Sequence, residues 1–327
     1  MSATPGVVKP SIRRFAVRVL KLVISVFYWV LNRSRAQWRR IRGEPCGGAC
    51  VVLYYHSVPA AYRQRFEKQM NLVASRGTAI DLRTMEANPA SGNVCSVAIT
   101  FDDALESFAD NAVPVLERLN LPATVFAVAD AMGSQPLWGE SYFSPDERVM
   151  STETLRSLPK NIAVGSHTLT HRDLAALSSR EAAREIGESR QLLEAMVGRP
   201  VTLFSFPFGA VDDSTVRQCC EAGYKRVFTT EPELLAAGSD AFAIGRVAAD
   251  PWDWRLEFRL KIAGAYCWQP WVRAVRRKIS ARFLSAPHGF RKSGSQDLIE
   301  DNRGTSAMSG PELRGVPAAS RASTKLS

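Results

Sequence analysis

Several class-defining features are missing from this sequence. Its six cysteines form no CxxC pair and no framework spacing, and Cys219 and Cys220 are neighbours, which rarely bridge. That speaks against a disulfide-stapled scaffold and for free thiols in a reducing compartment. No long apolar run is present either. The run "LVISVFYWVL" has only ten residues (22–31), short of the roughly 20 that a comfortable membrane span requires. The "NRSRAQW" after it offers no small-residue cleavage site, so a cleaved signal is not expected. Motifs that read bases or stack on them are missing, which argues against a nucleic-acid partner. Histidine is scarce, with four in the chain, so where those four fall is informative.

Charge is abundant and unevenly placed. The net charge is +10, with arginines crowded into residues 13–42 and 273–292 around a nearly balanced middle. Basic ends of this kind suit an anionic surface. In the first segment Arg14, Arg18, Lys21, Ser25, Tyr28, Asn32, Arg35, Arg39 and Arg42 follow steps of four and three. On a helix these positions form one basic stripe, with Leu20, Val23, Phe27, Val30 and Leu31 away from it. Such a helix suits the headgroup region of a membrane, with its arginines against anionic lipid. Docking on the protein's own core and a tilted signal anchor are the alternatives. The expected location is the cytoplasmic face of the inner membrane, or else a membrane anchor with a periplasmic catalytic domain.

After "RGEPCGGAC" the chain alternates. Strand-like runs at 50–58, 94–101, 123–129, 161–166, 201–206, 225–230 and 241–248 are separated by helical patterns at 62–76, 105–120, 152–158, 179–197 and 213–222. Ser178 with Glu181 reads as a capping box for the fourth helix. This order predicts parallel β/α units in an open sheet or a barrel. Residues 131–150 form a long loop, and the chain beyond about residue 290 has the composition of disorder. The domain reading is a basic amphipathic segment at 1–43, a catalytic domain at 50–266, a basic aromatic-rich extension at 267–290 and a tail at 291–327.

In such folds the C-terminal ends of the strands share one rim, where catalytic residues gather. His56 ends the first predicted strand, Asp102 and Asp103 the second, and His167 and His171 follow the fourth. Three of four histidines thus meet two carboxylates on one rim. Each piece has an ordinary reading: the aspartates as a helix cap, the histidines as chance spacing, His56 as a packed imidazole. Together, one carboxylate and two imidazoles match a three-ligand catalytic zinc with one position left for water. Metal-bound water also needs a carboxylate that is not a ligand to take its proton. Adjacent strand residues face opposite ways, so both aspartates enter one site only where the strand breaks.

"TFDD", "SHTLTH" and "FPFG", in this order, resemble the first three motifs of the polysaccharide deacetylase family, the NodB-homology or carbohydrate esterase family 4 domain. The resemblance covers about residues 50–266. It implies a distorted (β/α) barrel that removes acetyl groups from N-acetylated sugars with zinc or a similar divalent ion. By position, Asp102 resembles the base, and Asp103, His167 and His171 the metal ligands. Pro207, Phe208 and Gly209 correspond to a groove wall and a backbone donor near the oxyanion. Three departures stand out. Ser205 occupies the place of the arginine that usually pairs with the base, and Arg246 is the expected substitute. The late Leu-x-x-His motif has no match, and His288 in "LSAPH" reads as a spectator. "LYYHSV" resembles a permuted arrangement with the YH pair on the first strand, which makes His56 the acid candidate. Trp138 is the expected sugar platform, in preference to Trp252 and Trp254, while Asp250 and Asp253 either orient the acid or cap the next helix. The expected activity is N-deacetylation of a polysaccharide, a chitooligosaccharide-like glycan or a lipid-linked sugar. The alternative is a non-catalytic glycan-binding or scaffolding member of the same fold in a polysaccharide biosynthesis system.

Overall fold

The computed structural model describes residues 12–44, 48–76, 79–84, 95–138, 145–236 and 239–272. His288, the extension beyond residue 272 and the tail expected at 291–327 lie outside the described residues.

Among the described residues, nine strands form one sheet: β1 (Ala49–Tyr55), β2 (Cys95–Phe101), β3 (Ala123–Ala127), β4 (Ile162–Ser166), β5 (Leu203–Ser205), β6 (Arg226–Thr229), β7 (Leu235–Ala236), β8 (Ala243–Gly245) and β9 (Val247–Ala248). Strands β1 to β6 run parallel and in order, with β8 parallel on β6 and β9 parallel on β1. The run expected as one strand at 241–248 is therefore two short strands interrupted at Arg246. Its first half continues one edge of the sheet and its second half joins the other. The sheet thus curls into a distorted barrel, with the break at the seam. β7, which sequence periodicity missed, adds two antiparallel residues to β1.

The helices are α1 (Ile12–Ile41), α2 (Arg63–Ala74), α3 (Val113–Arg118), α4 (Thr152–Ser157), α5 (Ser179–Val197), α6 (Asp213–Glu221) and α7 (Arg255–Lys261). α5 forms where the capping box predicts it, with both Ser178–Glu181 bonds made and Gly198 in the left-handed conformation beyond its end. The segment expected as a helix at 105–120 is instead a π-helical turn over Phe108–Ala112 followed by the short α3 with Pro114 in its first turn.

Two packed layers result. Outside the sheet, Tyr55, Phe66, Phe101 and Phe108 pack ring against ring beneath α2 and α3. A separate cluster inside the barrel contains Val52, Ala98, Phe126, Leu203, Phe228 and Ile244. Room there is tight: a Cβ on Gly165 would lie 2.5 Å from the Phe126 ring. Because strand residues alternate faces, the inward set continues up each strand as Tyr54 and His56, Thr100 and Asp102, Ser205, and Arg246. The core pattern thus aims the site residues at the barrel mouth.

α1 lies against the barrel flank through Arg18 and Ser25 of the stripe and through Leu22, which packs on the core, while Arg14, Lys21, Arg35 and Arg39 are exposed. Arg18 donates to Glu257 Oε2 (2.8 and 2.6 Å) and to the Trp252 carbonyl (3.2 Å), and Trp268 Nε1 donates to Ser25 Oγ (2.9 Å). The opposite face is bare: Leu20, Val23 and Phe27 are 59, 60 and 65% exposed. The helix contains a window long and apolar enough to cross a membrane, longer than the ten-residue run suggested.

Candidate active site

Tyr55 pairs with Phe101 at the ends of β1 and β2, so His56 and Asp102 leave the sheet side by side. The Asp102 N–H donates to the Tyr55 carbonyl at 2.8 Å, extending the pairing one step. Asp102 keeps the inward direction of its strand. Asp103 would face outward, but Asp103 and Ala104 have φ of 69° and 51°. This left-handed turn swings the second carboxylate back over the mouth. Thr168, His171 and Phe208 also have positive φ (70°, 61° and 57°). Unfavourable backbone is concentrated around this site, where surrounding structure must hold it.

The two aspartates, both buried, have opposite surroundings. Arg246 is fully buried and grips Asp102 with a two-pronged pair, Nη1 to Oδ1 at 2.7 Å and Nη2 to Oδ2 at 2.8 Å. It also donates to Thr100 Oγ1 (3.0 Å), Ser205 Oγ (2.7 Å) and the Thr229 carbonyl (3.3 Å). The guanidinium therefore enters from the seam of the barrel, beside Ser205. Burial would push the Asp102 carboxyl up, but the charge and hydrogen bonds of Arg246, with His167 and His56 nearby, bring it down to about 2. Asp102 stays ionised.

Asp103 faces imidazoles instead. Its Oδ1 lies 3.3 Å from His171 Nε2 and 3.8 Å from His167 Nε2. Burial pushes its carboxyl up, opposed by His56 and His167 and reinforced by Asp102. His167 Nδ1 lies 2.8 Å from the Ser205 carbonyl. Since a carbonyl only accepts, Nδ1 carries a proton, and Nε2 is the ring nitrogen turned toward Asp103. Burial, then the charge of His167, pushes His171 down to about 2, so this imidazole is neutral. Its Nδ1 is buried without a hydrogen-bond partner among the described residues.

These observations fit a metal ion. Asp103, His167 and His171 each offer one ligand atom, all within 4.8 Å of one another. Both histidines turn Nε2 toward Asp103, and a cation there would offset the cost of a buried carboxylate.

Glu185, a carboxylate that sequence reasoning missed, holds the histidine loop. From α5 it accepts from the N–H groups of Leu169 and Thr170 (both 2.9 Å) and from Thr170 Oγ1 (2.5 Å). Thr168 Oγ1 accepts from His171 N–H at 2.9 Å. The available signal was a charged residue on the buried face of α5, among Ala182, Ile186, Ser189 and Leu193.

Trp138 sits nearer the ligands than a sugar platform requires. Its Nε1 donates to Asp103 Oδ1 at 3.0 Å, and its ring stacks on His171 with centroids 4.5 Å apart. One indole face is therefore covered by an imidazole. Phe208 is 61% exposed and lies edge-on to His171 at 4.9 Å, forming one wall of the mouth. Gly209 must be glycine: its φ is 69°, and a Cβ would lie 1.8 Å from Thr230 Oγ1. Its N–H donates to the Phe206 carbonyl at 3.3 Å, and Pro207 starts the turn.

His56 is half-buried with its ring 5.7 Å from Tyr54. Asp250 lies near enough to feel its charge, although burial dominates and pushes the Asp250 carboxyl up. Asp253 is committed elsewhere, accepting from the Asp250 N–H (3.0 Å) and Lys261 Nζ (2.6 Å). Trp252 packs on Tyr62, and Trp254 lies under Arg18.

Residues 91–227, which span Asp102, Asp103, His167 and His171, match the family model for polysaccharide deacetylase. Over that segment the chain is similar to the polysaccharide deacetylase family. Among similar proteins is YxkH of Bacillus subtilis (strain 168), provisionally named a polysaccharide deacetylase. It is 24% identical over 210 residues, covering 61% of this chain and 71% of YxkH. The poly-β-1,6-N-acetyl-D-glucosamine N-deacetylase of Staphylococcus epidermidis is 24% identical over 163 residues, 46% of this chain and 54% of that protein. The deacetylase match thus spans about half the length of that relative. Among solved structures, IcaB from Ammonifex degensii superposes with a TM-score of 0.55 at 22% identity, covering 67% of this chain and 97% of that one. That likeness supports the deacetylase fold.

Proposed function

We propose that this deacetylase removes N-acetyl groups from N-acetylhexosamine units of a polysaccharide, oligosaccharide or lipid-linked glycan, using a divalent ion held by Asp103, His167 and His171. One observation carries the reading: an arginine-clamped, ionised carboxylate stands directly beside a carboxylate–imidazole–imidazole cluster. Zinc is the first candidate, because one oxygen and two nitrogen donors suit it. When bound, the ion would polarise the acetyl carbonyl and make water acidic enough to attack.

The chain's own residues supply the rest. Asp102, kept ionised and oriented by Arg246, takes a proton from the attacking water. The hydroxyl joins the acetyl carbon, the carbon–nitrogen bond breaks, and His56 gives its proton to the departing amine, leaving acetate and a free amino sugar. The Gly209 N–H is engaged within its turn, so the backbone donor at the oxyanion is assigned to Phe208. Pro207, Phe208 and Gly209 form the groove wall, and Trp138 holds Asp103 while offering its outer face to a sugar. The name of the staphylococcal relative supports a β-1,6-linked N-acetylglucosamine polymer as the first substrate to test.

α1 is read as an interfacial helix. Only 6% of its apolar window is buried, so it is not a core helix, and Leu20, Val23 and Phe27 stay exposed. Such a helix would lie in the membrane plane with the barrel above it. Protease accessibility in sealed vesicles decides which face of the membrane carries the barrel.

The test is metal content of the purified full chain together with acetate release from β-1,6- and β-1,4-linked N-acetylglucosamine oligomers. Metal-dependent acetate release is expected. A stoichiometric ion with no acetate from any N-acetylated glycan would overturn the catalytic reading and leave a glycan-binding role.

A further inference from the structure

α1 touches the barrel at a place that bears on the catalytic mouth. β9 pairs with β1 in parallel, Leu53 opposite Val247 and Tyr54 opposite Ala248. The Ala249 N–H extends that pairing to the Tyr54 carbonyl at 2.9 Å. Continuing the register by two residues brings His56 level with Asp250, so both leave the sheet side by side. Asp250 opens a short turn, residues 250–254, that runs into the start of α7.

Hydrogen bonds tie this turn down on two sides. On the barrel side, Gln69 Nε2 donates to the Asp250 carbonyl at 2.8 Å, and the Tyr55 hydroxyl donates to Gln69 Oε1 at 3.0 Å. Tyr55 is the residue before His56. Within the turn, Asp253 Oδ2 accepts from the Asp250 N–H and from Lys261 Nζ. On the outer side the holder is Arg18 of α1. It donates to Glu257 Oε2 through Nε and Nη2 and to the Trp252 carbonyl, and its Nη2 lies 3.6 Å from Asp253 Oδ1. Its guanidinium covers the Trp254 ring at 4.4 Å, and Phe15 packs edge-on against the same ring at 5.8 Å. Glu257 Oε2 also accepts from the Trp254 N–H at 3.4 Å.

Asp253 and Glu257, both buried, share two cations, Arg18 and Lys261. Removing one cation from such a cluster leaves buried negative charge uncompensated, and the turn must open to water to relieve it. We propose that Arg18 is a positioning residue for the reaction: from α1 it fixes the turn 250–254 and, through Asp250, Gln69 and Tyr55, the end of β1 that carries His56. This deepens the deacetylase reading and rests on its assignment of His56 as the acid.

The test uses the full chain and a soluble N-acetylglucosamine oligomer, so that membrane attachment does not enter. Arg18→Met keeps an apolar stem and removes the donors. Its kcat should fall about 10–100-fold, the scale on which a misplacement of about 1 Å acts, with KM and metal content unchanged. Hydrogen exchange at the amides of residues 250–254 should be faster than in wild type. Glu257→Gln weakens the same contact from the barrel side. The double variant should be no slower than the slower single one, because both act through one contact. Leu20→Ser/Phe27→Ser, on the exposed face of α1, should keep the wild-type kcat. Wild-type kcat or exchange in Arg18→Met, or multiplied losses in the double variant, would overturn the proposal. So would loss of the metal together with activity, or an equal loss in Leu20→Ser/Phe27→Ser, either of which makes α1 a general packing element. Where Arg18→Met does not fold, Glu257→Gln decides, and wild-type kcat and exchange there would overturn the proposal. A wild type that releases no acetate from any N-acetylated glycan defeats the deacetylase reading; an active wild type with an indifferent Arg18→Met defeats this inference alone.

Discussion

Asp102 and Asp103 are neighbours in sequence, equally buried, and opposite in electrostatic fate. Asp102 continues the inward direction of β2 and meets a guanidinium that brings its carboxyl down to about 2. Asp103 is turned by its left-handed backbone toward two imidazoles, and burial pushes its carboxyl up. One half of the site is a closed ion pair with every prong used. The other gathers a carboxylate and two imidazoles whose candidate ligand atoms lie within 4.8 Å of one another. In the proposed function, identical side chains serve as a proton acceptor and a metal ligand because a single backbone turn sends them into different company. The division matters chemically, since a carboxylate bound to a metal has little basicity left for water.

The largest effect expected is on the ligand half. His167→Ala or His171→Ala should abolish both metal retention and acetate release while circular dichroism remains that of the folded barrel. Either variant with full occupancy and rate would dissolve the contrast. On the proton-transfer half, His56→Ala should lower kcat by about 10²–10⁴-fold with metal content unchanged, and remove the alkaline limb of the pH–rate profile. A profile unchanged in shape would move the acid role elsewhere. Between the halves stands Trp138. Trp138→Phe keeps the stacking and deletes the bond to Asp103, so metal affinity should fall about 10–100-fold, the usual cost of losing a ligand's supporting bond. An unchanged affinity would reduce the indole to a wall of the mouth.

Stability against pH gives the smallest effect. Because Asp102 is more acidic folded than unfolded, its pairing stabilises the fold above the unfolded value near 3.8 and is lost as pH falls toward about 2. That contribution is about 2 kcal/mol. Denaturant titrations of wild type and Asp102→Asn should converge across that window. Parallel curves would show that the ion pair is not what the pH acts on.

Much of this arrangement is written in local patterns. Alternating apolar strands and amphipathic helices locate the barrel, and strand ends locate His56, Asp102, Asp103, His167 and His171. Adjacent carboxylates at the end of a strand already require a break, and positive φ at residues 103 and 104 is that break. What escaped depends on contacts between distant segments. Strand periodicity does not show that the 241–248 run splits at Arg246 to join two edges of a sheet. Glu185 reads as one more polar helix residue until the loop at 167–171 folds over it. The basic stripe of α1 is legible. That Arg18 on it turns inward to Glu257 is not, because periodicity shows where a face lies and not what covers it.

The central claim is the division of labour between the two aspartates, and the paired amide variants test it most directly. Metal content and acetate release would be measured on Asp102→Asn and Asp103→Asn, each changing one carboxylate to a near-isosteric amide. The account predicts that Asp102→Asn retains one divalent ion and loses about 10²–10⁴-fold in kcat, whereas Asp103→Asn loses the ion and the activity with it. Metal lost from Asp102→Asn and kept by Asp103→Asn would contradict it.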